Sequence, residues 1–173
     1  RDTGKSGLSP ESVPACIVTH VSPRKTVPLL RVRHGWSRVR AAVTARTKVM
    51  LVNSPHNPTG MVLRYDELRA IAEVACEHDL VVVTDEVYEH LTYAEVRHVP
   101  LASLDGMRER TLTISSEGKT FSFTGWKVGW AIGPADLVRA TLTAKQFLTF
   151  TSAAPLQPAI AEALALGDDY YDA

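Results

Sequence analysis

Short apolar runs that do not alternate with polar residues constrain this chain more than any other feature. Residues 48–53 (KVMLVN) and 80–84 (LVVVT) are two such runs, and 111–115 (TLTIS) and 127–132 (KVGWAI) are two further short strand-like runs. Runs of this length and composition are strands with apolar residues on both faces, as in parallel sheets covered by helices. Between the first two, residues 65–79 carry Leu68, Ile71, Ala72 and Ala75 at i, i+3, i+4 and i+7, with Asp66 and Glu67 in the first turn. That spacing predicts a helix with one apolar face, and acids in the first turn suit its dipole. Residues 134–150 and 155–166 predict two more helices. The expected fold is therefore α/β, a mostly parallel sheet sandwiched by helices.

Ligands of such sheets bind beyond the carboxyl ends of the strands. Three of the runs end in polar residues: Asn53 followed by Asn57, Thr84 with Asp85, and Ser115 with Ser116. Polar groups at one edge of neighbouring strands converge on one site.

The first 40 residues are different. Pro10, Pro14, Pro23 and Pro28 interrupt them, and residues 31–40 are basic without a clear period. Short strands are expected at 15–20 and 26–30, with the rest irregular. The charge is lopsided although the total is zero. Residues 1–48 hold ten lysines and arginines against two acids, and residues 49–173 hold nine against seventeen. A basic arm on an acidic domain is one signature of nucleic-acid contact. No aromatic-interleaved sheet or recognition-helix pattern accompanies it, so the expectation is no nucleic acid.

With 173 residues and 45% hydrophobic content the chain can bury a core of its own. Disordered, collagenous and disulfide-built classes are excluded. No uninterrupted apolar stretch of about 18 residues exists to span a membrane as a helix. No leader pattern is seen, and the expected location is cytoplasmic. Cys16 and Cys76 form no C-x-x-C pair, so no metal site is expected of them, and Cys76 reads as a buried thiol inside the helical pattern.

Lys119 stands in SSEGKTFSFTGWKVGW, just past a strand end and among Ser, Thr and aromatic residues. Partial burial of an amine favours its neutral form, which condenses with aldehydes. A lone lysine is far more often an ordinary loop residue. Asp85 ends an apolar strand, where a carboxylate needs a cationic partner such as a protonated pyridine nitrogen. Alone it reads as a turn or cap. Asn57, on the rigid NPTG turn, and Tyr88, three residues past Asp85, could share one oxygen of a ligand. Alone they are a tight turn and a packing aromatic. Ser116 and Lys127, at −3 and +8 from Lys119, supply the hydroxyl and cation that suit a phosphate. Phe121 and Trp126 read as core.

Taken in order, NSPHNPTG, VTDEVYEHL and SSEGKTFSFTGWKVGW closely resemble the class I/II aminotransferases, of the fold shared with aspartate aminotransferase. The likeness runs from about residue 41 to 166 and is greatest to the kynurenine–oxoglutarate transaminase branch. N-succinyldiaminopimelate and methionine aminotransferases are similar too. The resemblance implies pyridoxal 5′-phosphate as cofactor, with Lys119 as its Schiff-base lysine and proton carrier. It implies Asp85 on the pyridinium nitrogen, Asn57 and Tyr88 on the phenolic oxygen, and Ser116 and Lys127 on the phosphate. It also implies an amino acid donor, a 2-oxo acid acceptor and a homodimeric full-length parent. The family's phosphate-binding Gly/Ser loop, its ring-stacking aromatic and its carboxylate-gripping arginine are not found here. The chain therefore reads as the central part of a cofactor-binding large domain over 41–173, preceded by a truncated or aberrant basic segment over 1–40.

Other readings remain beside this one. A carbon–sulfur β-lyase would use the same lysine, aspartate and asparagine, and a fragment lacking half its site would be inactive. Thr3-Gly4-Lys5-Ser6 ends like the phosphate loop of a nucleotide hydrolase, but no strand precedes it and prolines follow it. Glu86, Glu89, His90 and His98 could form a metal site only if a helix aligned them, and no HExxH is present.

Overall fold

The computed structural model of the protein describes residues 14–20, 26–30, 36–93 and 95–171. The phosphate-loop-like run at 3–6 and the basic residues Arg1, Lys5, Arg24, Lys25, Arg31 and Arg33 lie outside the described residues.

Among the described residues, six strands form one sheet: β1 (Pro14–His20), β2 (Thr26–Leu30), β3 (Thr47–Asn53), β4 (Val81–Asp85), β5 (Thr111–Ser116) and β6 (Gly129–Ile132). Their order across the sheet is β2-β1-β3-β4-β5-β6. The sheet is mixed. β3, β4 and β5 run parallel at its centre, while β1 pairs antiparallel with both β2 and β3, and β6 antiparallel with β5. Five helices accompany it: α1 (Trp36–Ala42), α2 (Tyr65–Glu77), α3 (Glu117–Thr120), α4 (Ala135–Leu148) and α5 (Gln157–Ala163).

Burial alternates along β4 and the second half of β3. Met50, Val52, Val82 and Thr84 are buried, and the three apolar ones join Leu68, Ile71, Val74 and Ala75 of α2, together with Leu101, Leu104 and Met107, in one cluster. Each fully buried side chain of this size is worth about 1.5–3 kcal/mol. Leu51, Val81 and Val83 point to the other face and are half-buried, and Ile114 and Ile132 are exposed. That second apolar face is why the runs do not alternate in sequence.

The predicted helix over 65–79 is observed as α2, with the expected residues facing the core. It starts where the Arg64 N–H donates to the Glu67 carboxylate at 2.9 Å. It ends two residues early because Asp79 takes a left-handed conformation, φ 48°. Cys76 corrects an expectation: it is exposed, lying off the buried stripe of α2, with its Sγ 3.5 Å from the Gly106 carbonyl. A second correction is α1, in the stretch expected to be irregular. Among the side chains described in this short helix only Val39 is fully buried, and the sequence there shows no apolar period. Arg40 on its outer side pairs with Glu77 of α2. The fourth run also begins later than predicted. Lys127 is left-handed, φ 58°, which no strand residue adopts, so β6 starts at Gly129. No helix among the described residues is long and apolar enough to cross a membrane.

Candidate active site

The carboxyl ends of β3, β4 and β5 are held level by their hydrogen bonding. Asn53 lies opposite Asp85, and Asp85 opposite Ile114. The Asp85 carbonyl accepts from the Ser54 N–H at 3.2 Å and from Asn53 Nδ2 at 3.0 Å. The Glu86 N–H donates to the Ile114 carbonyl at 2.9 Å. The polar residues just past these three strands therefore emerge at one edge.

The 54–63 loop after β3 is tied down along its length. The His56 N–H donates to the Met61 carbonyl at 2.8 Å, His56 Nδ1 meets the Thr59 hydroxyl at 2.8 Å, and the Leu63 N–H donates to the buried Ser54 hydroxyl at 3.0 Å. Gly60 turns the chain at φ 68°, a conformation that costs glycine nothing. Asn57 sits exposed on this loop, and its Nδ2 donates to the Tyr88 hydroxyl at 3.1 Å. The Tyr88 ring in turn lies 5.4 Å below the Lys119 ammonium, within cation–π range. Asn57, Tyr88 and Lys119, from the ends of three successive strands, thus form one connected group.

Asp85 stands three residues before Tyr88 and is half-buried. Its Oδ1 accepts weakly from the Val87 N–H at 3.4 Å. Among the described residues no cation pairs with it. Ser116 is the last residue of β5 and lies opposite Gly129, so it shares its end of the β5–β6 pair with Lys127. Ser116 is half-buried and Lys127 exposed. No hydrogen bond or ion pair joins these two to each other or to the Asn57–Tyr88–Lys119 group among the described residues. Phe121 is buried, as expected of core, against Tyr170 at 5.6 Å. Trp126 is only half-buried and stacks on the exposed Phe123 at 4.9 Å.

One polar residue near the site, Glu117, is not singled out by the sequence, and the residues weighed there as metal ligands find other partners. Glu117, two residues before Lys119, is 1% exposed and accepts the Val128 N–H at 2.8 Å. Its position inside the SSEGK run is the signal that could have found it. Glu89 accepts the buried Ser115 hydroxyl at 2.8 Å. Glu86 pairs with His98 at 2.8 Å. His90, whose ring stacks on Tyr171 at 3.8 Å, faces Glu89 only distantly at 4.0 Å. Residues 87–90 form a turn and not a helix, and the four candidate metal ligands do not gather: Glu86 pairs with His98, Glu89 binds Ser115, and His90 stacks on Tyr171. Among the described residues no three His, Cys, Asp or Glu side chains converge on a metal position.

A family model matches most of the chain. The model described as aminotransferase class I and II covers residues 27–171. The chain belongs to this family. It is 55% identical over 145 residues to a probable N-succinyldiaminopimelate aminotransferase of Mycobacterium tuberculosis, covering 82% of the chain and 36% of that relative. It is 50% identical over 120 residues to kynurenine–oxoglutarate transaminase 3 of Rattus norvegicus, covering 69% of the chain and 26% of that relative. The solved N-succinyldiaminopimelate aminotransferase of Mycobacterium tuberculosis superposes with a TM-score of 0.78 at 53% identity, over 82% of the chain and 36% of that structure. The family's α/β fold is thus shared, and the chain spans about a third of the length of these relatives.

Proposed function

We propose that this chain is the central part of the cofactor-binding large domain of a pyridoxal 5′-phosphate-dependent aminotransferase. The observation that carries the reading is the link from Asn57 through the Tyr88 hydroxyl and ring to the Lys119 ammonium, with the Asp85 carboxylate, which pairs with no cation among the described residues, at the same sheet edge.

The donor set fits that cofactor. Asn57 Nδ2 and the Tyr88 hydroxyl lie 3.1 Å apart, and each keeps a hydrogen to donate, which suits a phenolate oxygen between them. Asp85, half-buried without a cation, suits a protonated ring nitrogen and holds the proton there. The Ser116 hydroxyl and the Lys127 ammonium suit a phosphate dianion. When bound, pyridoxal 5′-phosphate supplies an aldehyde for the amine and a ring that accepts electron density. The Lys119 Nζ is the amine on the site's protein side, and it moves the proton from the substrate's α-carbon. Packing of Tyr88 beneath Lys119 limits the paths the amine can take and keeps water from one side of it. Family membership supports an amino acid donor, a 2-oxo acid acceptor, a homodimeric parent and a cytoplasmic location.

The test is chemical trapping. The chain is incubated with pyridoxal 5′-phosphate, reduced with borohydride, digested and mapped by mass spectrometry. A pyridoxyl mass on Lys119, absent in Lys119→Ala, is expected. A mass spread over surface lysines, or none on Lys119, would refute the proposal.

A further inference from the structure

We propose that Glu117 is a positioning residue: its buried carboxylate holds the 127–128 peptide and so sets where Lys127 stands relative to Lys119. The inference rests on the cofactor-binding reading above.

Glu117 opens α3 and is among the most deeply buried large side chains of the protein. It grips Val128 twice. Its N–H donates to the Val128 carbonyl at 3.3 Å, and its Oε1 accepts the Val128 N–H at 2.8 Å. The other oxygen, Oε2, is buried with no hydrogen-bond partner among the described residues. Among the described residues no cation pairs with the carboxylate. A buried acid in that state is costly, and an apolar residue of the same volume would fill the space more cheaply. What the apolar residue would lack is an acceptor for the Val128 N–H.

The residue before Val128 is Lys127, held at φ 58° and ψ 39°. A side chain with a Cβ disfavours that left-handed conformation, so an outside restraint must maintain it. Glu117 supplies the restraint from one residue away. A second tie closes the same loop on α3, where the Thr124 hydroxyl donates to the Gly118 carbonyl at 2.7 Å. A Cβ on Gly118 would come within 3.1 Å of the Thr124 backbone, so the close approach needs glycine there. Residues 121–128 are thereby fastened to the helix that carries Lys119. The two lysines, eight positions apart in sequence, become parts of one rigid unit. A phosphate and an aldehyde on one cofactor need that fixed separation.

Two measurements on the 173-residue chain test this. The first needs no cofactor: hydrogen exchange of the Val128 amide. In Glu117→Ala it should quicken by about tenfold or more, and in Glu117→Gln, which keeps an acceptor oxygen, it should stay near the wild-type rate. The second compares pyridoxal 5′-phosphate with pyridoxal, which lacks the phosphate. Glu117→Ala should weaken the phosphorylated form by about tenfold while changing pyridoxal by less than about twofold. Lys127→Ala should show the same selective loss, and combining the two should add little. Unchanged Val128 exchange in Glu117→Ala would overturn the proposal. So would equal losses for both ligands, which a merely structural role would give. If the wild-type chain takes up neither ligand, the cofactor reading of the site fails, and Glu117 as a cofactor-positioning residue fails with it. Binding of both with selective loss absent sinks only the Glu117 inference.

Discussion

Replacing Glu86 by alanine should be among the most damaging single changes in this protein, although Glu86 takes no part in the connected group of Asn57, Tyr88 and Lys119. Its side chain is 3% exposed and that of its partner His98 is 8% exposed. Oε2 meets His98 Nε2 at 2.8 Å, and Oε1 accepts the Leu101 N–H at 3.4 Å. The pair sits among Val52, Leu68, Thr84, Val99 and Leu101, where water cannot readily replace it. Truncation leaves a buried imidazole and a buried amide without acceptors. Each orphaned group costs about 1–3 kcal/mol, so the two together cost about 4 kcal/mol. With a urea dependence of about 2 kcal/mol per molar, the unfolding midpoint should fall by about 2 M. Trp126 and Trp130 provide the fluorescence signal for a urea titration. Glu86→Gln, which keeps one acceptor oxygen, should lose less than half as much. A midpoint shift below about 0.3 M for Glu86→Ala would refute the claim that this contact anchors the tip of β4.

Two further outcomes follow from local geometry. A Cβ at Gly133 would lie 2.6 Å from the Thr111 carbonyl and 3.2 Å from Leu112 Cδ1, so Gly133→Ala must spread β5 from the end of β6. A loss of about 1–3 kcal/mol is expected, read by calorimetry as a fall of about 3–10 °C in Tm. Cys76, exposed at the end of α2, should react with a thiol reagent in native buffer without denaturant, and peptide mapping should find the label there.

The elements that sequence exposed best were those whose signal is local and repeated. The helix over 65–77 has both a periodic stripe and acids at its start, and the central strands β3 and β4 are built on short apolar runs. Sequence was blind where one residue's backbone decides the outcome. Asp79 and Lys127 adopt left-handed conformations that shorten α2 and delay β6. Neither residue type announces this as glycine would. Cys76 was misjudged because it adjoins a buried alanine, and one step around a helix turns about 100° away from its buried face. Among the candidate site residues, Asn57, Tyr88 and Lys119 are brought into contact, because each follows a strand whose register is fixed by its neighbours. Glu117 escaped notice, and Glu86 and Glu89 were weighed only as metal ligands or solvated groups, because a carboxylate in a sequence reads as solvated. Only the folded chain reveals that a serine, a histidine or a peptide N–H has been brought to meet each one.

The adjacent acids Asp85 and Glu86 illustrate how the sheet allots different tasks to like residues. Successive side chains of a strand point to opposite faces. Along β4, Val82 and Thr84 are buried on the α2 side, while Val81, Val83 and Asp85 face the other way and are half-buried. Continuing the alternation sends Glu86 into the core side, where His98 and the Leu101 amide receive it. It leaves Asp85 on the open side, near the Tyr88 and Lys119 edge and without a cation. A slip of one residue in the pairing of β4 would exchange these environments, putting Asp85 against His98 and Glu86 at the edge. The Val49–Val81 to Asn53–Asp85 register with β3 and the Val82–Thr111 to Asp85–Ile114 register with β5 prevent that slip from both sides. The open carboxylate that the proposed chemistry requires is therefore a consequence of strand pairing, and the buried pair behind it reinforces the same register.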